Sequence, residues 1–287
     1  MIWIGGIVAA LVVASGIAWA GSQHSVMVAG VPLFLLCVGL AFVVQWLVFI
    51  PAFVFQTEKY FDLTGSLTYI SVTLLALALT GASDPRSLLI GAFVTLWAIR
   101  LGSFLFRRIM KDGEDKRFRS IKPDFLQYLM TWTIQGLWVS VTYAAGLAAI
   151  TSANPVPADL FLLVGMTLWF AGFVIEVVAD LQKSKFRAQA ENRHRFIQSG
   201  LWAWSRHPNY FGEIVLWLGI AVMALPVLQG WQYLCLISPV FVVFLLTKIS
   251  GVRMLEARAK KQWGEEVEYQ AYKARTPVLV LRPPKAG

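Results

Sequence analysis

The nine residues Ser205-Arg206-His207-Pro208-Asn209-Tyr210-Phe211-Gly212-Glu213 bring a guanidinium, an imidazole, an amide, a phenol and a carboxylate into an otherwise apolar part of the chain. Pro208 suits the first turn of a helix, where its missing N–H costs no hydrogen bond. Gly212 lets another group approach the backbone closely. Arg206, His207 and Asn209 then gather at a helix N-terminus, whose free amides and dipole attract a phosphate or a carboxylate. His207 and Glu213 are also residue types that bind metals. The chain has three histidines, His24, His194 and His207, and no HxxxH or CxxC spacing, so no metal site is expected.

Other chemistry-bearing residues stand near the ends of apolar runs. An ionisable group at membrane depth costs about 2.5–3.5 kcal/mol on insertion scales, so it usually faces a cavity or a partner. Arg100, Glu176 and Asp180 are such groups. Glu176 and Asp180, spaced i,i+4, share one helix face. Together the three read either as a polar cavity or as solvated helix ends with a basic flank. Gln56, Glu58, Tyr60 and Asp62 crowd one span end, where the aromatic and the two acids are possible proton donors or part of an ordinary polar helix end. Within 107–127, Arg108, Lys116 and Arg117 are suited to a polyphosphate, though a mixed-charge connector needs no such partner.

The elements that position these residues follow from composition. Of 287 residues, 57% are hydrophobic and 14% charged, against about a quarter charged in soluble proteins. Apolar runs near 2–20, 27–54, 64–82, 88–106, 128–150, 160–179, 210–228 and 232–249 have the length that crosses a bilayer. They are continuous rather than alternating, which excludes a β-barrel. The expected fold is an all-α polytopic transmembrane bundle of seven or eight spans. The run 27–54 is long for one crossing and contains Pro32 and Pro51. Ala18-Trp19-Ala20 has the look of a signal-peptidase site, but no Lys or Arg precedes it, so 2–20 is read as a helix.

Lys and Arg distribute unevenly among the connections. Loop 107–127 holds seven, loop 180–209 six, and the tail from Lys248 nine; Arg86 alone falls opposite. By the positive-inside rule these loops and the C-terminus are cytoplasmic, as for an integral protein of a bacterial inner membrane. The net charge of +9 is then topological, with anionic lipids as secondary partners, and implies no nucleic acid. Cys37 and Cys235 lie in apolar runs and read as packing residues. The tail is expected to form an amphipathic helix near Val252–Trp263, followed by an extended end that Pro277, Pro283 and Pro284 keep from helix.

Ser205–Glu213, preceded by Asp180…Lys185-Phe186-Arg187 and followed by Trp263-Gly264…Tyr269-Gln270-Ala271-Tyr272-Lys273, resembles the DUF1295 group of the steroid 5α-reductase-like superfamily. The resemblance runs from about Gln56 to Pro283. It divides the chain into an additional N-terminal transmembrane helix, 1–25, and a reductase-like membrane domain, 26–287, whose half 160–287 binds the cofactor. It implies NADPH held by Asp180, Arg187, Arg195, Asn209 and Glu213, with Arg206, His207 and Tyr210 beside them; the basic loop 107–127 adds Arg108 as a candidate for its phosphates. It also implies a lipophilic substrate entering from the bilayer and an acid that holds its carbonyl. The matching position is Asp62, with Glu58 second. The family's tyrosine falls near Trp97, which is no acid, and Tyr60 is the substitute. Isoprenylcysteine carboxyl methyltransferases and sterol C14 reductases have a similar Arg-His-Pro-x-Tyr element.

Three functions follow. The first is a membrane-embedded NADPH-dependent reductase of an activated carbon–carbon double bond in a steroid-like or isoprenoid-like substrate. The second is an S-adenosylmethionine-dependent methyltransferase of a lipid or prenyl thiol, and the third a non-enzymatic lipid-binding protein. Two basic loops suit a cofactor carrying phosphates and favour the first. Oligomeric state leaves no trace in the sequence.

Overall fold

The computed structural model describes residues 1–284, so the last three positions of the expected 26–287 domain lie outside the described residues. The chain runs through α1 (Ile2–Gly21), a hairpin of β1 (Met27–Val28) and β2 (Val31–Pro32), α2 (Leu33–Val54), α3 (Phe61–Thr80) and α4 (Pro85–Asp112). There follow α5 (Phe125–Thr142), α6 (Ala144–Ile150), α7 (Leu160–Ala188), α8 (Pro208–Ala224), α9 (Ile237–Phe244), α10 (Val252–Trp263) and α11 (Val267–Arg275). Among the described residues seven helical segments are long and apolar enough to cross a membrane, or eight if α5 and α6 form one broken span. The protein is an integral, multi-pass membrane protein.

Three elements differ in detail from the sequence reading. The run 27–54 is not one helix. Ala29 and Gly30 both take positive φ, 49° and 81°, in a two-residue turn that pairs β1 with β2, and α2 starts only after Pro32. The run 128–150 bends by 58° between α5 and α6. The tail holds α10 where it was expected, but a further helix, α11, precedes the extended end.

The described chain forms two compact units. One comprises Met1–Leu163 with Ile220–Ser238, the other Val164–Gly219 with the residues from Pro239 onward. In the first unit, polar side chains bond to one another between apolar helices. Gln45 Nε2 donates to Thr68 Oγ1 at 2.8 Å, and Trp46 Nε1 to Thr133 Oγ1 at 3.1 Å. Arg86, 1% exposed, donates to the carbonyls of Met223 (2.5 Å) and Pro157 (2.9 Å) and pairs with Asp159 at 2.8 Å. The one basic residue expected opposite the others is thus a buried brace, engaged through both terminal nitrogens.

In the second unit, residues of α7 and α8 pack backbone to backbone through glycines spaced seven apart. A Cβ on Gly172 would lie 2.5 Å from the Gly212 carbonyl oxygen, and one on Gly219 2.6 Å from that of Gly165. Small residues at such spacing allow helices to approach without a side chain between them. This close, antiparallel approach sets α7 carboxylates against the first turn of α8.

Candidate functional site

Two polar clusters occupy the positions that the sequence singles out, one in each unit. In the second unit Asn209, in the first turn of α8, donates from Nδ2 to Asp180 Oδ1 at 3.2 Å. Asp180 is 7% exposed and Glu176, one turn earlier on the same face of α7, is 2% exposed. A Cβ on Gly212 would come within 2.6 Å of the Glu176 backbone nitrogen, so the glycine contact itself brings this acidic turn against α8. Glu213, one turn beyond Asn209, is half-buried. Asp180, Asn209 and the glycine contact therefore form a single arrangement, and Glu176 and Glu213 flank it.

The connection 189–207 is pinned to the end of α7. Trp202 Nε1 donates to the Ala179 carbonyl at 3.0 Å, and the Leu201 amide donates to Gln182 Oε1 at 3.0 Å. Lys183 lies over the Trp202 ring, 4.4 Å from its centre. Gly200 turns the chain here with φ 61°, a conformation that favours glycine. The tail closes over the same loop. Arg206 N donates to the Pro277 carbonyl at 2.9 Å, Ser205 Oγ to that of Leu279 at 2.8 Å and Tyr272 OH to that of Trp202 at 2.7 Å.

Sequence reasoning missed Glu256. Its carboxylate is shared by two neighbours, Arg206 Nη1 at 2.5 Å and His207 Nε2 at 3.0 Å. On α10, Val252, Leu255, Ala259 and Trp263 repeat at helical spacing, and Glu256 falls on that apolar face while Arg253, Arg258, Lys260 and Lys261 are exposed. A lone acid on the inward side of a basic helix was the available signal. Tyr210 stacks on the His207 ring, with centres 5.7 Å apart and planes 10° from parallel, and lies against Gly251. Arg206 and His207 are thus tied into the fold rather than projecting as free anion ligands.

Burial holds His207 below the ordinary imidazole pKa, against the opposing pull of Glu256. A carboxylate only accepts, so Nε2 of the neutral ring carries the proton, and Nδ1 is left as a buried acceptor with no partner. Arg206 Nε is likewise a buried donor with no partner. Arg187 and Arg195 are exposed, as is Lys185. Among the described residues no three His, Cys, Asp or Glu side chains gather as a metal site would need.

The first unit holds the other cluster. Glu58 is 5% exposed and bonded on both oxygens, accepting from the Asp115 amide at 2.8 Å and pairing with Lys122. Its carbonyl accepts from Phe61 N, at the start of α3. Glu58 is therefore a clasp between the 113–122 loop and α3. Burial acts upward on Asp115, but hydrogen bonds from the Arg117 side chain and backbone overcome it and leave that carboxyl below its usual range. Asp62, in the first turn of α3, is half-buried with Arg108 Nη2 at 3.9 Å. Tyr60 is exposed and stacks on Phe106, centres 6.0 Å apart. Arg100, on α4, lies over Phe104 at 5.5 Å.

Trp97, 3% exposed, packs edge-on against Tyr69, centres 5.2 Å apart. Asp62, Ser66, Tyr69 and Thr73 recur at helical spacing and share one face of α3. The phenol beside Trp97 was missed because Tyr69 reads in sequence as one more apolar span residue. The spacing places it on the Asp62 face, two turns deeper.

The DUF1295 family, described as a protein of unknown function, matches residues 48–276. Three curated relatives named 3-oxo-5-alpha-steroid 4-dehydrogenase 1 are similar. The Bos taurus protein is 26% identical over 173 residues, covering 58% of this chain and 63% of its own length. The Rattus norvegicus protein is 29% identical over 118 residues, 41% of this chain and 40% of its own. The Mus musculus protein is 30% identical over 118 residues, 41% of each. The chain thus spans less than two thirds of the length of these relatives. No solved structure matches it. With a match that takes in the Asp180–Asn209 arrangement, the Arg206–His207–Glu256 cluster and the Glu58–Asp62 turn together, the chain belongs to the DUF1295 family, within the steroid 5α-reductase-like group.

Proposed function

We propose that the protein is a membrane-embedded reductase that uses NADPH to saturate an activated carbon–carbon double bond in a lipophilic, steroid-like or isoprenoid-like substrate. The observation that carries this reading is the donor set around the Asp180–Asn209 pair. A dinucleotide needs acceptors for its amide and hydroxyl protons and cations for its phosphates. Glu176, Asp180, Glu213 and the unpartnered His207 Nδ1 are acceptors, while Arg206 Nε, Arg187, Arg195 and Lys185 are cations or donors. These residue types fit the cofactor, and the three mammalian relatives are named as steroid dehydrogenases, which supports a redox reading. Exposed arginines suit a ligand with phosphates and are superfluous for S-adenosylmethionine.

NADPH, when bound, supplies a hydride. Asp180 and Asn209 orient the bound molecule, Arg187 and Arg195 neutralise its phosphates, and the Glu256 clasp keeps Arg206 and His207 fixed in place. On the substrate side Asp62, beside Arg108, and Tyr69 supply the protons that stabilise an enolate oxygen and complete the reduced product. Glu58 positions the turn from which Asp62 projects. The basic loops and the C-terminus face the cytosol, where the cofactor is loaded.

Incubation of the purified protein with a lipophilic enone and NADPH deuterated at the transferable position tests this reading. Deuterium appearing at the β-carbon of the saturated product supports it, whereas enone recovered unlabelled and unreduced across steroid and isoprenoid panels contradicts it.

A further inference from the structure

A groove of about 590 Å³ runs along the first unit between α1 and α2, lined by residues from Leu11 to Trp46. All of its lining precedes residue 48, where the family match begins. Its shape follows from how α1 is seated. Ala10, Ala14 and Ala18, four residues apart, are buried, and a Cβ on Gly6 would lie 2.4 Å from Met130 Sδ, so one face of α1 is pressed onto α5. The adjacent face, with Leu11, Ser15 and Trp19, is left opposite Leu35, Gly39 and Val43 of α2. Nothing lies within 4 Å of where a Gly39 Cβ would be, so the groove is open at its middle.

We propose that this groove holds one acyl chain of a membrane phospholipid, its ester end at Ser22 and Gln23. Two observations point to that occupant. The eleven-residue step from Leu11 to Ser22 is about 16 Å at the helical rise, and one leaflet's share of the hydrocarbon core is about 15 Å. Trp19 packs on Trp231 at the Ser22 end, centres 5.5 Å apart, and tryptophan favours the membrane–water interface. Ser22 and Gln23 are the polar residues at that end of the lining, beside the interfacial tryptophan pair. The rest of the lining is almost wholly apolar. A chain entering from the interface would therefore fill the groove to the bilayer midplane.

Native mass spectrometry of the full chain, purified in detergent, tests the assignment. The wild type should retain one phospholipid, and so should Gly39→Ala, which adds a single methyl group to open space. Gly39→Phe, and independently Val43→Phe on the same lining, should reduce retention several-fold while the thermal midpoint stays that of a folded protein. A wild type that carries no phospholipid overturns the proposal. So does one that retains a sterol, an isoprenoid or detergent in its place, or a pair of filled variants that keep the lipid as well as the wild type does.

Discussion

Gly172 and Gly212 meet backbone to backbone. A Cβ on Gly172 would lie 2.5 Å from the carbonyl oxygen of Gly212, and a Cβ on Gly212 would lie 2.6 Å from that of Gly172. No side chain can yield at such a contact, since the atoms met are main chain. The approach also sets the register that brings Asn209 to Asp180. Gly172→Ala or Gly212→Ala should therefore cost about 1–3 kcal/mol through overpacking. Both should weaken cofactor binding more than Gly39→Ala does, because only they shift α7 against α8. Thermal midpoints and ligand titrations of the three variants check this, and a neutral Gly212→Ala would contradict it.

Glu256 holds two partners, so its removal orphans both. Glu256→Gln keeps the size but loses the charge, leaving Arg206, whose side chain is 11% exposed, without its counter-ion. Breaking one side of a buried pair costs about 3 kcal/mol. The variant should melt earlier, and Arg206→Gln in the Glu256→Gln background should recover part of the loss. Simple additivity of the two single substitutions would contradict the shared clasp.

His207 predicts a pH dependence of stability. Burial lowers its folded-state pKa, so below the ordinary imidazole value of about 6.5 the unfolded chain takes up a proton that the folded chain resists. Its contribution is complete above that value and declines as the pH falls through it, by at most about 1.4 kcal/mol per pH unit for one proton. Thermal midpoints followed from about pH 7.5 down to about pH 5 should fall less steeply in His207→Gln than in the wild type. Equal slopes would contradict the neutral, buried imidazole.

Glu58 and Asp62 separate clasp from chemistry. Glu58→Gln should lower stability by about 3 kcal/mol, because Lys122 is left half-buried and unpaired, and it should leave turnover per folded molecule nearly intact. Asp62→Asn and Tyr69→Phe should melt like the wild type and reduce kcat by about 10²-fold or more, the usual scale of a positioned proton donor. Full turnover in both would remove them from the reaction.

Much of the architecture was legible in the sequence because hydrophobic length is a strong signal. The spans, α10 and the polar tail are where their residue patterns put them. The hairpin was hidden because Val26-Met27-Val28-Ala29-Gly30-Val31 is as apolar as the helix that follows. The α5–α6 bend has no proline or glycine at Tyr143 to announce it. At the site, types and spacing put Glu176 with Asp180, and Asn209 with Arg206 and His207, and only the family resemblance placed Asp180 and Asn209 on one cofactor; the partner of Arg206 and His207 was not legible. Glu256 is fifty residues from Arg206, and only tertiary packing makes them neighbours. The glycines at 165, 172, 212 and 219 are plain in the sequence, but their seven-residue spacing gains meaning only once α7 and α8 are paired.

The most direct test of the central claim is a thermal-shift titration of the detergent-purified protein with NADPH, NADH and S-adenosylmethionine in parallel. A ligand that binds only the folded state stabilises it by about 2.7 kcal/mol at one hundred times its Kd. The proposed cofactor site predicts a saturable upward shift with NADPH, lost in Asn209→Ala and Glu213→Ala although both remain folded. A shift with S-adenosylmethionine alone, or an NADPH shift that both variants retain in full, would contradict it.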